Sequence, residues 1–454
     1  MLHTVDCLVV GELYCRLVKK VAVAYNPFNN KYSIFAGRFI THTVMTPHTL
    51  FLIILTIYIA DFVFGRYLSW LNIRSSKNPI PAELSGIYDS ERYHKQQQYF
   101  RANSQFGMTV SSFSFVVIMA MLLFGGFASI NDIVQSWSLS AVWTSIAFLG
   151  ILYIANDLIE LPFDIYDTFV IEQRFGFNKT TAGTFVLDRL KGYLLTAIIG
   201  GALLYAVIYI YNAIPQYFWI LAWAVVSVFG LFMSVFYSDI IVPIFNKQKP
   251  LVDGELRRSI EQFADRVGFS LKNIYTIDGS KRSTKANAYF SGMFGKKRIV
   301  LYDTLIEKLS TEEIVAVLAH EIGHYKHRHT MKSVVISLLS NLLLFWLLGI
   351  VLGNDIFARA LGCTSASFHI NILVFGILYS PISTVLGVSM NVLSRKFEYQ
   401  ADGFAKQYGY GAALVSALGR LSSDSLSNLT PHRLVVFTEY SHPTLYQRIK
   451  ELNR

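Results

Sequence analysis

Long apolar stretches alternate with short polar connections along most of the chain. Seven of these stretches are long enough to cross a bilayer, because a helical span needs about 20 residues. They cover residues 48–68, 106–128, 140–161, 192–212, 217–241, 331–353 and 370–391. This pattern predicts an all-α multi-pass membrane protein with about seven transmembrane helices.

The pattern changes between residues 246 and 330, where polar positions dominate. An amphipathic helix is predicted over about 253–267, and three extended runs follow at 273–278, 287–294 and 298–303. A turn at 295–297 joins the last two runs. Residues 310–313 read Ser-Thr-Glu-Glu, which is the signature of a helix capping box. We therefore expect a helix over 312–329 and a small α+β domain within this insert.

Composition supports the membrane interpretation. Of 454 residues, 53% are hydrophobic and 15% are charged, which is too little charge to cover the surface of a soluble domain of this length. The net charge of +10 is compatible with binding to nucleic acid, but Lys and Arg collect in the loops between apolar stretches. We therefore predict contact with membrane lipids and no nucleic-acid partner.

The basic loops also predict an orientation and a division of the chain. The first, third and fifth connections and the C-terminal tail are basic, whereas the second, near 129–139, has no Lys or Arg. The positive-inside rule then places the insert and the tail on the cytosolic side. The predicted parts are an N-terminal extension of unknown role (1–47), spans one to five (48–245), the insert (246–330), spans six and seven (331–391) and a C-terminal part of the catalytic domain (392–454).

The strongest chemical signal is the sequence His-Glu-Ile-Gly-His at 320–324. On a helix, His320 and His324 lie on one face, so both imidazoles can reach one metal ion. Zinc accepts such ligands and keeps a position open for water. Glu321 lies beside them and is the candidate general base, which takes a proton from that water and returns it to the leaving amine.

A third ligand is expected far along the chain. His327 and His329 follow the motif closely, but their spacing from His324 places them to one side of the site or beyond it. Glu398 is the better candidate, because Asp402 follows it at helical spacing and both carboxylates then share one face. Glu398 would bind zinc, and Asp402 would accept a hydrogen bond from a ligand imidazole. We therefore interpret the small α+β domain as a zincin-like (gluzincin) metalloprotease domain.

Groups that hold the substrate are predicted from weaker signals. Asn287, Ala288 and Tyr289 lie in an extended run before the motif helix, where a strand edge can pair with a substrate backbone. His442 is a candidate donor to the oxyanion. Arg448 is a candidate partner for a substrate carboxylate.

Several sequence blocks together resemble the family of type I CAAX prenyl proteases, over most of the chain from about Pro79 to the C-terminus. The most specific block is Phe-Gly-Phe-Asn-Lys-Thr at 175–180, in combination with the zinc motif. Other matching blocks are Leu-Pro-Phe at 161–163, Lys-Arg-Ser at 281–283, Asn-Ala-Tyr at 287–289, the segment 394–402 and Ser-His-Pro at 441–443.

The resemblance implies a function that the patterns above do not supply. Family members are zinc endopeptidases that remove the last three residues from prenylated proteins ending in Cys-aliphatic-aliphatic-X, and some make a second, upstream cut. They reside in the endoplasmic reticulum, and in animals also in the inner nuclear membrane, with seven helices around a water-filled chamber. In this sequence His320, His324 and Glu398 match the zinc ligands and Glu321 matches the base. Asn287 and His442 match groups that hold the scissile region.

Three alternatives remain open from the sequence. A metalloprotease for general membrane quality control would use the same site. An intramembrane metalloprotease also uses this His motif, but there the motif lies inside an apolar span, whereas here basic and His residues at 326–329 follow it. A seven-helix receptor or channel fits the spans alone, but it has no use for a complete set of base and ligands.

Overall fold

A computed structural model describes residues 45–269, 271, 273–291 and 298–454. Nearly all of the predicted N-terminal extension lies outside the described residues, as does the predicted turn at 295–297.

The membrane part is built from nine described helices, several of which join into longer spans. Its helices are α1 (Pro47–Ser75), α2 (Ser90–Leu123), α3 (Gly126–Ser136), α4 (Ala141–Tyr166), α5 (Gln173–Phe175), α6 (Ala182–Leu195), α7 (Gly201–Ala213), α8 (Phe218–Ile240) and α9 (Val242–Phe245). Two π-helical segments, Asp167–Glu172 and Thr196–Gly200, continue α4 into α5 and α6 into α7.

The insert and the C-terminal half carry the remaining helices. These are α10 (Glu255–Arg266), α11 (Asp303–Lys308), α12 (Thr311–Lys326), α13 (His329–Leu352), α14 (Asp355–Ala360), α15 (Phe368–Gln407), α16 (Gly411–Asp424), α17 (Arg433–Glu439) and α18 (Leu445–Leu452).

The predicted spans are confirmed as seven long apolar helices among the described residues. They run Pro47–Ser75, Ser90–Leu123, Ala141–Phe175, Ala182–Ala213, Pro215–Phe245, His329–Leu352 and Phe368–Gln407. The predicted end of the second span at residue 128 is wrong. The helix ends at Leu123 because Gly125 adopts a left-handed conformation (φ 68°), and α3 then begins at Gly126.

The fourth to seventh spans share one buried cluster. Val207 of α7, Phe218 of α8, Phe345 of α13 and Phe368 of α15 are its central members. Aromatic rings carry much of the contact, with the Phe218 and Phe345 centroids 6.4 Å apart. This packing joins the chain before the insert to the chain after it.

The insert contains a four-stranded mixed sheet. Its strands are β1 (Gln248–Pro250), β2 (Asn273–Ile277), β3 (Ala288–Ser291) and β4 (Arg298–Tyr302), in the order β1-β2-β4-β3. β2 and β4 are parallel, with Tyr275 opposite Val300, and β3 runs antiparallel to β4, with Tyr289 opposite the same Val300. The three predicted strands are confirmed, with β2 and β4 each ending one residue earlier than predicted and β3 beginning one residue later. Residues 292–294 of the second predicted run lie outside the described residues. The strand β1 was not predicted. β3 therefore lies at an edge of the sheet.

The amphipathic helix of the insert is confirmed as α10. Its buried positions Ile260, Phe263 and Ala264 belong to one core with Ile299 of β4 and Leu318 of α12. The helix that carries the zinc motif is thus fixed against the sheet by burial of apolar side chains.

Two predicted boundaries differ from the structure. The helix expected over 312–329 is wrong at its end, because α12 stops at Lys326 and Arg328 adopts a left-handed conformation (φ 55°) before α13 begins at His329. The predicted boundary between residues 391 and 392 falls within α15, which is one continuous helix of 40 residues. A single helix therefore forms the seventh span and enters the catalytic part of the chain.

Candidate active site

The motif helix α12 has a defined start and a buried face. The Ser310 hydroxyl accepts the N–H of Glu313 at 3.3 Å, and the Glu313 carboxylate accepts the N–H of Ser310 at 2.8 Å. This is the capping box that the sequence predicts. Ile314, Leu318 and Ile322, spaced four apart, are almost fully buried. That stripe fixes the rotation of the helix about its axis and therefore the direction of the motif side chains.

Gly323 allows α12 to approach α15 closely. A Cβ atom at this position would lie 3.0 Å from the Ala401 Cα and 3.0 Å from the Phe404 Cβ. Any larger residue would separate the two helices, since backbone atoms cannot yield as a flexible side chain does. The approach brings Glu398, one helical turn before Ala401, next to the two motif histidines.

The three candidate ligands converge on one point. The Nε2 atoms of His320 and His324 lie 3.1 Å apart. The Glu398 carboxylate is 3.3 Å from His324 Nε2 through Oε1 and 3.5 Å from His320 Nε2 through Oε2. His320, His324 and Glu398 are the one group of this kind that could hold a metal among the described residues.

These distances fit a tetrahedral metal ion. Bonds of about 2.0–2.1 Å to nitrogen and oxygen, as zinc forms, place neighbouring ligands of a tetrahedron roughly 3.3 Å apart. The two imidazole nitrogens lie 3.1 Å apart, and each has one Glu398 oxygen near it, Oε1 at 3.3 Å from His324 and Oε2 at 3.5 Å from His320. Two imidazoles and one carboxylate leave the fourth corner for water, as in catalytic zinc sites.

His320 is held by charged groups. Its Nδ1 lies 2.8 Å from Asp402 Oδ1. Arg448 donates to the same carboxylate from two nitrogens, with Nε 2.9 Å from Oδ2 and Nη2 2.6 Å from Oδ1. Burial disfavours the charge of Arg448, but the hydrogen bonds to Asp402 together with the negative charges of Asp402, Glu398 and Glu321 outweigh it and raise the pKa of the guanidinium. A fixed ion pair therefore orients the first imidazole.

His324 is held by neutral groups, and sequence reasoning missed them. Its Nδ1 lies 3.0 Å from Nδ1 of His329, whose Nε2 is 2.8 Å from the Gln400 side-chain oxygen. The His329 ring is buried and stacks on Phe397, with centroids 4.1 Å apart. His329 is not one of the three candidate ligands, as expected. Its contact with His324 was not predicted, and it forms because the helix breaks after Lys326 and α13 begins at His329.

The two predicted catalytic side chains lie at this cluster. His442 is exposed, and its Nδ1 is 2.9 Å from Glu398 Oε2. The hydrogen bond to Glu398 raises the pKa of His442, and the negative charge of Glu321 adds to that shift while burial opposes it. Glu321, adjacent to His320 on α12, is partly exposed. The candidate base and the candidate oxyanion donor thus lie beside the candidate ligands.

The predicted substrate-binding residues divide into two groups. Asn287 precedes β3, and Ala288 and Tyr289 lie in that edge strand. The Tyr289 hydroxyl is 3.2 Å from the Ser238 hydroxyl of α8. Arg448 is directed instead at Asp402, and its Nη1 lies 3.5 Å from Glu398. The structure therefore gives Arg448 an orienting contact, and its role toward a substrate carboxylate stays a prediction.

Comparisons with known proteins match nearly the whole described chain. Residues 69–247 match a family model described as the N-terminal part of CAAX prenyl proteases with five membrane helices, and residues 250–454 match peptidase family M48. The chain belongs to the CAAX prenyl proteases of peptidase family M48.

Individual relatives match the sequence of this chain over most of their length. CAAX prenyl protease 1 of Saccharomyces cerevisiae is 36% identical over 88% of this chain and 95% of its own. The CAAX prenyl protease 1 homolog of Homo sapiens is 34% identical over 82% of this chain and 88% of its own. The crystal structure of S. mikatae Ste24p superposes with a TM-score of 0.85 at 35% identity, covering 89% of this chain and 99% of that one.

Membership establishes the enzyme class and the fold. The chain is a multi-pass membrane protein and a metallopeptidase, which removes the receptor or channel alternative. The motif helix α12 is not among the seven long apolar helices of the described residues. This arrangement differs from that of an intramembrane metalloprotease, whose motif lies inside an apolar span.

Proposed function

We propose that this metallopeptidase is a zinc endopeptidase that removes the C-terminal tripeptide from prenylated proteins ending in Cys-aliphatic-aliphatic-X. A second, upstream cut on some substrates belongs to the same proposal. The observation that carries it is the convergence of His320, His324 and Glu398, whose ligand atoms lie close enough together for one zinc ion. Relatives named CAAX prenyl protease 1 or its homolog match this chain over most of their length.

The proposed chemistry assigns each polar group one task. When bound, zinc acts as a Lewis acid and lowers the pKa of water to near neutrality. Glu321 takes the proton of the attacking water and delivers it to the departing amine. His442 donates an N–H to the oxyanion that forms at the scissile carbonyl. Asn287 and the backbone of β3 hold the substrate in an extended conformation along the sheet edge.

The proposed location follows from charge and family. The basic loops between spans one and two and between spans three and four lie on the same side as the insert, which the positive-inside rule assigns to the cytosol. We place the protein in the membrane of the endoplasmic reticulum, with the inner nuclear membrane as a second location in animals. Prenylated proteins made in the cytosol then reach the zinc site directly.

The test compares the native protein with Glu321→Ala and Glu321→Gln, purified in detergent. We expect about one zinc ion per native chain, and release of the tripeptide from a farnesylated peptide. Both variants should retain zinc and lose about 10²- to 10⁴-fold in rate, since removing a general base costs that much. A native protein without zinc would refute the metal assignment. A native protein that holds zinc but leaves the prenylated peptide intact would refute the substrate.

A further inference from the structure

Two sequence blocks without an assigned role meet in the structure. The block at 175–180 follows the third span, and the block at 281–283 precedes β3. Lys179 donates its backbone N–H to the Arg282 carbonyl at 3.0 Å, and Thr284 donates to the Phe177 carbonyl at 3.1 Å. Asn178 and Ser283 form an antiparallel bridge between these bonds. A short ribbon thus ties the insert to the end of a membrane helix.

Side chains reinforce the ribbon. The side-chain oxygen of Asn178 accepts the N–H of Thr180 at 2.7 Å, which fixes the turn that leaves the ribbon. Arg282 forms a two-pronged ion pair with Asp188 of α6, at 2.7 and 2.9 Å. The segment before β3 is therefore attached to the fourth span as well as the third.

Lys285 makes the last of these attachments. Its ammonium donates to Glu172 at 2.8 Å and to the Tyr99 hydroxyl at 3.0 Å, and Tyr99 donates to the same carboxylate. It also lies 4.6 Å from the centre of the Phe177 ring. We call Tyr99, Glu172 and Lys285 the Lys285 clamp. Tyr99 belongs to α2 and Glu172 to the π-helical segment after α4, so the clamp joins two spans to the insert.

The surroundings make the clamp rigid. Phe175 and Phe177 are buried in a cluster with Leu84, Leu426 and Ile449, and Tyr99 packs against it. Burial disfavours the Lys285 ammonium, but its hydrogen bonds to Glu172 and Tyr99 outweigh that effect and raise the pKa of Lys285. The ammonium therefore remains charged and paired at any physiological pH.

The clamp lies close to the predicted substrate edge. Lys285 is two residues before Asn287, which is about 7 Å along an extended chain. The Lys285 carbonyl accepts the Thr304 hydroxyl at 3.1 Å, and β3 is paired only with β4 among the described residues, with Ala288 opposite Leu301. The clamp thus defines where the edge strand begins relative to the membrane helices.

A prenylated peptide must bind in two parts of the molecule at the same time, one for its lipid and one for its backbone. Its lipid gains about 0.8 kcal/mol for each CH₂ group kept in an apolar environment, which only the membrane part of the molecule provides. Its backbone must lie along β3 to place one peptide bond at the metal ligands. The distance between the two places then selects the bond that is cut.

We propose that Lys285 is a positioning residue that sets the cleavage register of prenylated substrates, by fixing β3 to the second and third spans through Tyr99 and Glu172. This inference rests on the proposed function, because it requires a lipid-bearing substrate. It goes beyond that function by naming the contact that fixes the distance between the bound lipid and the peptide bond that is cleaved. Lys285 itself does not touch the reacting atoms.

The test uses the full chain with Lys285→Met and Glu172→Gln, and Lys249→Met as a matched control. Lys249 is exposed in β1, at the opposite edge of the same sheet. Each protein receives a farnesylated peptide and the same peptide without lipid. Product masses report the bond that is cut, and kcat and KM are measured for both peptides.

We expect the native protein and Lys249→Met to cut one bond and to favour the farnesylated peptide. Lys285→Met should also cut a neighbouring bond, and its preference for the lipid in kcat/KM should fall about tenfold, the effect of losing one charge-assisted hydrogen bond. Its kcat on the unmodified peptide and its zinc content should stay native, because the metal ligands are untouched. Glu172→Gln, which keeps a hydrogen-bond acceptor, should lie in between.

The possible failures are distinguishable. A native protein that does not cut the farnesylated peptide refutes the proposed function. A native protein that cuts it, alongside a Lys285→Met protein with one product and an unchanged lipid preference, refutes the register inference alone. If Lys285→Met loses zinc or unfolds at a lower temperature than the native protein, Tyr99→Phe replaces it in the test. Tyr99→Phe keeps the packed ring and removes only the hydroxyl. Native register in Tyr99→Phe and Glu172→Gln would then overturn the inference.

Discussion

The two imidazoles of the metal site are oriented by opposite kinds of surroundings. On the His320 side, Asp402 is a buried carboxylate neutralised by Arg448. On the His324 side, a second imidazole and an amide form a neutral chain through His329 and Gln400. Both arrangements leave Nε2 of the ligand free to face the metal while Nδ1 is engaged.

The difference is one of charge and not of geometry. Because Arg448 cancels Asp402, neither side adds net charge to the site. Glu398 and Glu321 then supply two negative charges, which match a divalent cation. A carboxylate in the place of His329 would add a negative charge to the site, and burying that charge would be costly. The neutral chain orients the ring without that cost.

Asp402→Asn should have the largest effect on this comparison. The change keeps a hydrogen-bond acceptor for His320 but leaves the buried Arg448 without its main partner. We expect zinc affinity to fall about 10- to 100-fold and stability to fall by about 3–5 kcal/mol, the cost of breaking a buried ion pair. Competition with a chelator and thermal unfolding in detergent measure both. Native zinc affinity in this variant would show that the carboxylate charge has no role.

His329→Gln should have an intermediate effect. It removes the ring that is hydrogen-bonded to Nδ1 of His324 and stacks on Phe397, but no charge becomes unpaired. We expect about a tenfold loss of zinc affinity, the low end for such orienting groups, with a smaller loss of stability than in Asp402→Asn. His327→Gln is the control, since His327 touches the His329 ring and not the ligands. An effect of His329→Gln as large as that of Asp402→Asn would contradict the distinction between the two sides.

Arg448→Lys should have the smallest effect. Lysine keeps the positive charge beside Asp402 but cannot reproduce the two parallel hydrogen bonds of the guanidinium. We expect zinc affinity to fall less than about tenfold, a weakened rather than broken orienting contact, with an unchanged KM. Zinc competition and peptide kinetics distinguish the two roles considered for Arg448, the orienting contact with Asp402 and the contact with a substrate carboxylate. A raised KM with native zinc affinity would instead support the predicted contact with a substrate carboxylate.

Sequence patterns predicted most of the framework because they depend on local spacing. Apolar runs marked the seven spans, and the capping box marked the start of α12. The four-residue spacing within each helix placed His320 with His324 and Glu398 with Asp402 on shared faces. The strand β1, only three residues long, carries too little pattern to be recognised.

The contacts that sequence reasoning missed depend on breaks and on distant partners. His329 was set aside because a continuous helix would carry it away from His324. The left-handed conformation of Arg328, which is rare for a residue other than glycine, follows the end of that helix. The chain changes direction there, and His329 lies against His324. The contact of Lys285 with Glu172 joins residues 113 positions apart, and no periodicity in a single sequence reports such a pair.

The length of α15 gives the bilayer itself a mechanical connection to the catalytic centre. A helix of 40 residues is about 60 Å long, roughly twice the thickness of the hydrocarbon core. Glu398 lies on the part that extends beyond the apolar stretch of this helix. A long apolar helix adapts to a thinner membrane by tilting, and a tilt of α15 would act on the same helix that carries Glu398. Membrane thickness is therefore a physical variable to which this metal centre is exposed.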